Sequence, residues 1–159
     1  MPDVLMTTTF VSELARRDKT RIYEVLNTPE CQPFLPARAG IGESRRFNPD
    51  QAMLVMLHSD LVRWGLSTPF AGRLVSQIAE TVAKAEDGRR LDFITIAFYA
   101  NGASYFVEGS EDGQGLYSPT PAHPGPARFR LTVSLCNYRS EIDAAINSQP
   151  QVIGDDDAN

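Results

Sequence analysis

The hydrophobic pattern of the chain changes its period near residue 90, and this change most constrains the possible fold. Before it, apolar residues recur at spacings of three and four, which is typical of amphipathic helices. After it, β-branched and aromatic residues form short runs, which is typical of strands. The 159 residues suffice for one average domain or two small ones. We therefore expect an α+β chain, with helices first and a sheet second.

Four groups of apolar residues predict four helices in the first part of the chain. The third helix has the clearest start, because Asn48 can cap it and Gln51 stands where a capping box requires Glu or Gln. Gly65 is expected to end this helix, and Thr68 to cap the fourth after a short corner. The four groups span residues 10–15, 22–26, 53–64 and 70–82.

A long basic connection, residues 27–47, separates the second and third helices. Its prolines and glycines prevent a regular helix, so we expect turns, short extended pieces, or a two-stranded flap with its tip at 39–43. The connection contains three arginines, at Arg38, Arg45 and Arg46.

The second part of the chain predicts a small antiparallel sheet of about three strands. Asn101-Gly102 separates the strand-like segments 91–100 and 104–107, and this dipeptide is a strong signal for a hairpin. A third strand is expected at 129–138, followed by a helix at 139–146 that closes the exposed face of the sheet. We place domain boundaries at 8–88 and 89–147, with a disordered acidic tail at 148–159.

Charge and hydropathy exclude several classes of protein. The net charge of −5 comes from residues 91–159, which alone sum to −6, so the acidic total does not exclude a nucleic-acid partner for the first part. The longest apolar run, residues 52–57, is far below the roughly 18 to 20 residues that span a bilayer. With no secretory signal visible at the start, we expect a cytoplasmic protein without a membrane partner.

Catalytic and metal-binding signals are weak. Cys31 and Cys136 are expected to be packed thiols, and neither lies in a nucleophile motif or a Cys-x-x-Cys pair. His58 and His123 have no carboxylate or cysteine neighbour that would make either a base or a ligand. We therefore expect no enzyme activity, no catalytic residue, no metal and no cofactor.

Several helix residues receive ordinary structural interpretations. We expect Trp64 and Phe70, which flank the corner between the third and fourth helices, to lie in the core. His58 is expected on the surface, and Asp60 and Glu80 are expected to be solvated helix charges.

The first two helices have the arrangement of a helix-turn-helix, and the second is the candidate reading helix. Its exposed side chains could offer cations, a hydroxyl and an aromatic ring to bases and phosphates in the major groove. Arginines of the connection could neutralise phosphates or enter the minor groove. The candidate DNA-binding residues are Arg16, Arg17, Lys19, Thr20, Arg21, Tyr23, Arg38, Arg45 and Arg46.

Residues 8–85 resemble the amino-terminal domain of the MerR-type winged helix-turn-helix regulators. Arg21-Ile22-Tyr23-Glu24 matches the second-helix motif of that family, and Arg46-Phe47-Asn48-Pro49-Asp50 matches the end of its wing. The corner Trp64-Gly65-Leu66-Ser67 and the helical segment 70–82 follow in the same order. The strand-like segment 91–100 stands where the family has a long dimerising helix. The resemblance implies a DNA-binding regulator that acts by promoter distortion, and repression by plain operator binding is the alternative mechanism.

We expect a homodimer that binds double-stranded DNA, because one short reading helix buries too little surface for useful specificity. RNA polymerase and an unidentified effector are further candidate partners. The alternative function is a protein-interaction or ligand-sensing module, in which the acidic sheet is the working part and the helices do not bind DNA.

Overall fold

The computed structural model describes residues 4–37, 44–85, 91–98, 105–110 and 128–148, with the backbone alone for 105–110. The architecture is α+β, as predicted. The elements in chain order are β1 (Met6–Thr7), α1 (Thr8–Leu14), α2 (Lys19–Asn27), a 3-10 helix (Pro29–Phe34), β2 (Arg46–Phe47), α3 (Pro49–Arg63), α4 (Thr68–Lys84), β3 (Phe93–Phe98), β4 (Tyr105–Ser110), β5 (Phe129–Ser134) and α5 (Leu135–Ser148).

The predicted start and end of α3 are confirmed. The Asn48 side chain accepts a hydrogen bond from the Gln51 amide at 2.8 Å, and the Gln51 side chain accepts one from the Asn48 amide at 3.0 Å. The two orphan amides of the first turn are thus satisfied reciprocally. After Trp64, Gly65 adopts a φ of 102°, which ends the helix.

The helical unit is organised around α3, whose residues from Ala52 to Ser59 are all buried. Helix α1 buries Phe10 and Val11, and α2 buries Ile22, Val25 and Leu26 at spacings of three and four. The core side chains include Phe10, Val11, Ile22, Leu26, Phe34, Phe47, Met53, Leu57, Leu61, Leu74, Val75 and Ile78.

The described part of the basic connection forms a 3-10 helix followed by an extended segment, rather than a regular helix. This 3-10 helix lies against α4: Ser76 Oγ donates to the Glu30 carbonyl at 2.8 Å. Gly72 permits the close approach, because a Cβ there would lie 2.9 Å from Cys31 Sγ. Further along, β2 pairs antiparallel with β1, with Met6 opposite Phe47 and Thr7 opposite Arg46. The expected flap tip at 39–43 lies outside the described residues.

The second unit contains a three-stranded antiparallel sheet in the order β4-β3-β5. Ile96 of β3 pairs with Val107 of β4 and Leu131 of β5. The predicted hairpin is confirmed by the β3-β4 pairing, although its Asn-Gly turn lies outside the described residues. The third strand ends at Ser134, so the prediction of strand through 138 is wrong. The Leu135 amide donates to the Asp92 carbonyl at 2.8 Å, and α5 begins at Leu135.

The chain divides into two compact units, Met1–Ala79 with Asn137–Asn159, and Glu80–Cys136. The sequence predicts that the carboxyl-terminal helix closes the sheet, whereas α5 from residue 137 onward belongs to the helical unit. The hydroxyl of Tyr138 donates to Asp60 Oδ2 at 2.8 Å, and Arg139 Nε lies 3.8 Å from Asp50 Oδ1. These polar contacts join residues that are far apart in sequence. The spacing of apolar residues within a short segment cannot predict such contacts. The predicted acidic tail beyond 148 lies outside the described residues.

The two cysteines are in the state that the sequence predicts. Cys31 and Cys136 are both thiols, as predicted. Burial raises the pKa of the Cys31 thiol to about 12, so Cys31 acts as a small apolar side chain near neutral pH.

Within the described ranges, no helix combines the length and apolarity that crossing a bilayer requires.

Candidate nucleic-acid interface

The outer face of α2 has the exposure that the sequence predicts. Ile22, Val25 and Leu26 are buried, and they fix the rotation of the helix about its axis. Asp18 caps the helix by accepting from the Arg21 amide at 2.9 Å. The candidate reading residues on α2 are all exposed, namely Lys19, Thr20, Arg21 and Tyr23.

Arg21 is paired within the helix. Its Nη1 donates to both carboxylate oxygens of Glu24, at 2.9 and 2.8 Å. This hydrogen bond and the charge of Glu24 raise the pKa of the Arg21 guanidinium, which is charged at neutral pH in any case. More than half of both side chains is exposed, so the pair contributes little to stability. Arg21 can therefore exchange Glu24 for another partner at little cost in free energy.

The turn before α2 uses a left-handed residue. Arg16 has a φ of 50°, and the amides of Arg16 and Arg17 donate to the carbonyls of Glu13 and Ser12, both at 3.0 Å. This is the Schellman arrangement that ends a helix, here with arginine at the position that usually requires glycine. The same arrangement recurs after α3, where Gly65 occupies the left-handed position.

These two turns form a matched pair for a stability test. We expect Arg16→Gly to increase the free energy of unfolding by roughly 0.5 to 1 kcal/mol, because glycine relieves the left-handed strain. We expect Gly65→Ala to decrease it by about 1 kcal/mol, because a Cβ there meets nothing within 4 Å and only backbone strain is added. Urea denaturation measures both, and shifts of the same sign would contradict this interpretation.

Two arginines clamp the turn onto α3. Arg17 donates from Nη2 to the Ser59 carbonyl at 2.8 Å. Arg63 donates from Nη2 to the Ala15 carbonyl at 3.1 Å, and its other terminal nitrogen pairs with Asp60. The position of α2 relative to α3 is thus set by hydrogen bonds as well as by apolar packing. Arg17, which the sequence predicts as a DNA-binding residue, therefore also makes a structural hydrogen bond, to the Ser59 carbonyl.

The remaining predicted basic residues lie elsewhere. Arg16 is exposed and lies 3.5 Å from Glu141 on α5. Arg46 and Arg16 lie at opposite ends of α1. Arg46 pairs with Thr7, which caps the start of this helix, and Arg16 follows its end. The seven residues of α1 separate these two ends by about 10 Å. Arg45 is partly buried, and its Nη1 has no hydrogen-bond partner among the described residues. Arg38 lies outside the described residues.

Three local expectations are wrong. His58 is 1% exposed rather than on the surface, because α3 is covered on almost all sides. Trp64 is 64% exposed rather than in the core, because it caps α3 beyond its buried turns. Asp60 is not simply solvated, since its carboxylate accepts from Tyr138 and Arg63. Phe70 is partly buried, and Glu80 is an exposed charge 3.4 Å from Lys84.

His58 lies between α2 and the start of α4. Its Nε2 is 3.2 Å from the Thr68 carbonyl, and its Nδ1 is buried without a hydrogen-bond partner among the described residues. Burial, the main cause, lowers the pKa of His58, and the positive charge of Arg17 lowers it further. His58 is therefore neutral at pH 7 in the folded protein.

Sequence reasoning missed Arg63, which donates to the turn before α2, and Tyr138, which donates to the Asp60 partner of Arg63. Their partners lie 48 and 78 residues away in the chain, so no local spacing could have indicated them. Within the described part of the chain, no group of three or more His, Cys, Asp or Glu side chains could hold a metal ion.

A scan against protein-family models gives no match for this chain, and a search of curated proteins gives none either.

Proposed function

We propose that this protein is a cytoplasmic transcriptional regulator that binds double-stranded DNA sequence-specifically, with a MerR-type winged helix-turn-helix in its helical unit. The observation that carries the proposal is the outer face of α2, where Lys19, Thr20, Arg21 and Tyr23 are exposed together. A buried apolar face holds this helix from behind. Polar and cationic side chains on a rigid helix are what direct readout of a major groove requires.

The dimensions of α2 fit this role. Its nine residues make a rod about 13 Å long, and its exposed face is free to enter a groove about 12 Å wide. Four cationic residues, Arg16, Arg17, Lys19 and Arg21, occur within six positions at its amino-terminal end. The helix amino terminus adds a favourable dipole for phosphate at the same end.

The order of elements also supports the proposal. A helix pair is followed by an arginine-containing strand and by a second helix pair with a glycine corner. Arg45 and Arg46 at the end of the basic connection are candidates for contacts to phosphates beside the groove, as the wing of the family would make. We propose a homodimer, since two half-sites multiply the affinity of two short reading helices.

A selection from a random duplex library at low salt tests the proposal. We expect an enriched sequence motif, and we expect the affinity for that motif to fall steeply with added salt because phosphate contacts release counterions. Binding is measured with a fluorescently labelled duplex, with a shuffled duplex as control. Failure to enrich any sequence would contradict the proposal and favour the protein-interaction or ligand-sensing module.

A further inference from the structure

A cavity of about 310 Å³ lies behind the reading helix, between α2 and α3. This volume is at the lower end of the range for small-ligand sites, roughly 300 to 1,000 Å³. All of its lining residues belong to the helical unit: Arg17, Arg21, Glu24, Val25, His58, Ser59, Val62 and Thr68.

The charges on the cavity wall favour an anion. Arg17 and Arg21 are both cationic, and Glu24 is the carboxylate that opposes them. Since Glu24 is held by Arg21 through both of its oxygens, Arg17 provides the excess positive charge. The Arg17 guanidinium is fixed in place by its hydrogen bond to the Ser59 carbonyl. A cation whose position is already fixed loses little conformational entropy when it binds a ligand.

His58 lines the same cavity and can report on a ligand bound there. The Thr68 carbonyl can only accept, so the proton of the neutral ring lies on Nε2 and Nδ1 has an open lone pair. That Nδ1 is buried in a side chain that is 1% exposed, and no described residue donates to it. A buried polar atom without a partner is destabilising, by about 1 to 3 kcal/mol. Nδ1 itself has no accessible surface, and its lone pair would repel an anion, so the His58 ring lines the cavity as a group whose pKa responds to an anion nearby.

We propose that this cavity binds a small organic anion, with its phosphate or carboxylate group at the Arg17 guanidinium and the His58 ring on the neighbouring wall. Arg21 belongs both to the cavity wall and to the exposed face of α2. A bound anion would therefore compete with Glu24 for Arg21 and change how this side chain is presented to DNA. This last consequence rests on the proposed function, whereas the binding of the anion does not.

Nuclear magnetic resonance of the His58 ring tests the site in the full chain without DNA. The chain has two histidines, so a His123→Asn background leaves His58 as the sole imidazole signal. The probes are inorganic phosphate and glycerol 3-phosphate. We expect each to shift the His58 resonances saturably at millimolar concentration, and we expect the pKa of His58 to rise because a nearby anion stabilises the imidazolium.

Three variants make the test specific. Arg17→Gln is expected to weaken binding of the probes about tenfold. Arg73→Gln removes the same charge from an exposed arginine that does not line the cavity, and is expected to leave binding unchanged. Because Arg17 also holds Ser59, Val62→Met serves as a second variant that fills the cavity and keeps every charge, and it too should weaken binding.

The outcomes separate the sources of the anion. A saturable shift with glycerol 3-phosphate that Arg17→Gln weakens and Arg73→Gln does not supports the proposal. A shift produced by a short DNA duplex but by neither small probe would assign the site to backbone phosphate and overturn the small-ligand proposal. No shift with any probe, or equal weakening in the Arg17 and Arg73 variants, would also overturn it. Failure to select a DNA sequence would leave this result unaffected.

Discussion

Replacing Arg21 and Tyr23 together by alanine is expected to abolish selective DNA binding while the protein remains folded. Each good contact between a side chain and a base edge contributes about 1 to 3 kcal/mol of discrimination, so the loss of two such contacts should reduce the preference for the selected motif roughly 30- to 25,000-fold. Competition between the motif and a shuffled duplex measures this decrease. Both side chains are exposed, and alanine favours helix, so the thermal unfolding midpoint should change little.

Two arginines at the end of the basic connection provide the contrasting variant. Replacing Arg45 and Arg46 by alanine is expected to weaken binding to the motif and to the shuffled duplex alike, because contacts to phosphate do not read sequence. The slope of log affinity against log salt should decrease by about 2, one for each phosphate that an arginine no longer neutralises. Arg73→Gln is the control for a general change in charge. If the substitutions at Arg21 and Tyr23 and those at Arg45 and Arg46 had the same effect on selectivity, the proposed roles would be refuted.

The second large effect is expected at Arg63. Arg63→Ala removes the donor to the Ala15 carbonyl and the cationic partner of Asp60, so two acceptor groups are left without that donor. We expect the free energy of unfolding to fall by about 2 kcal/mol, the magnitude typical of hydrogen bonds to charged groups. Selective DNA binding should fall as well, since the turn that positions α2 loosens. Urea denaturation measures the first effect, and competition binding the second.

Arg73→Ala is the matched control for this prediction. Arg73 is also a helix arginine of the helical unit, and it lies 3.7 Å from Glu30 in an exposed ion pair. Exposed pairs of this kind contribute about 0 to 1 kcal/mol. Tyr138→Phe, which removes the other donor to Asp60, is expected to cost about 1 kcal/mol. If Arg63→Ala were no more destabilising than Arg73→Ala, the proposed clamp on the turn would not exist.

Local features were predicted where one short segment contains all the interacting groups. The capping box of α3 needs only Asn48 and Gln51, and the left-handed end of that helix needs only Gly65. The hairpin followed from Asn101-Gly102 in the same way. The left-handed turn at Arg16 was not predicted, because arginine rarely adopts that conformation and only the contacts around the turn maintain it.

Side-chain environments required the packed structure. His58 is polar, and its position in a helical segment does not predict its burial. It is buried because α3 is enclosed on nearly all sides. Trp64 is large and apolar, yet it lies past the last buried turn of α3 and remains in solvent. The cavity behind α2 combines Arg17 and Arg21 with His58, which is about 40 positions further along the chain.

The amino-acid sequence alone determined the α+β class, the helices of the first part, the hairpin of the second, and the outward polar face of α2. These features follow from the spacing of apolar residues and from hydrogen bonds between residues that are close in sequence. Each depends on only a few neighbouring residues. Tertiary structure decided the place of α5, the clamp of Arg63 and the site around His58. These three features depend on contacts between residues that are distant in sequence and that pack together only in the folded protein. No local sequence pattern predicts such contacts.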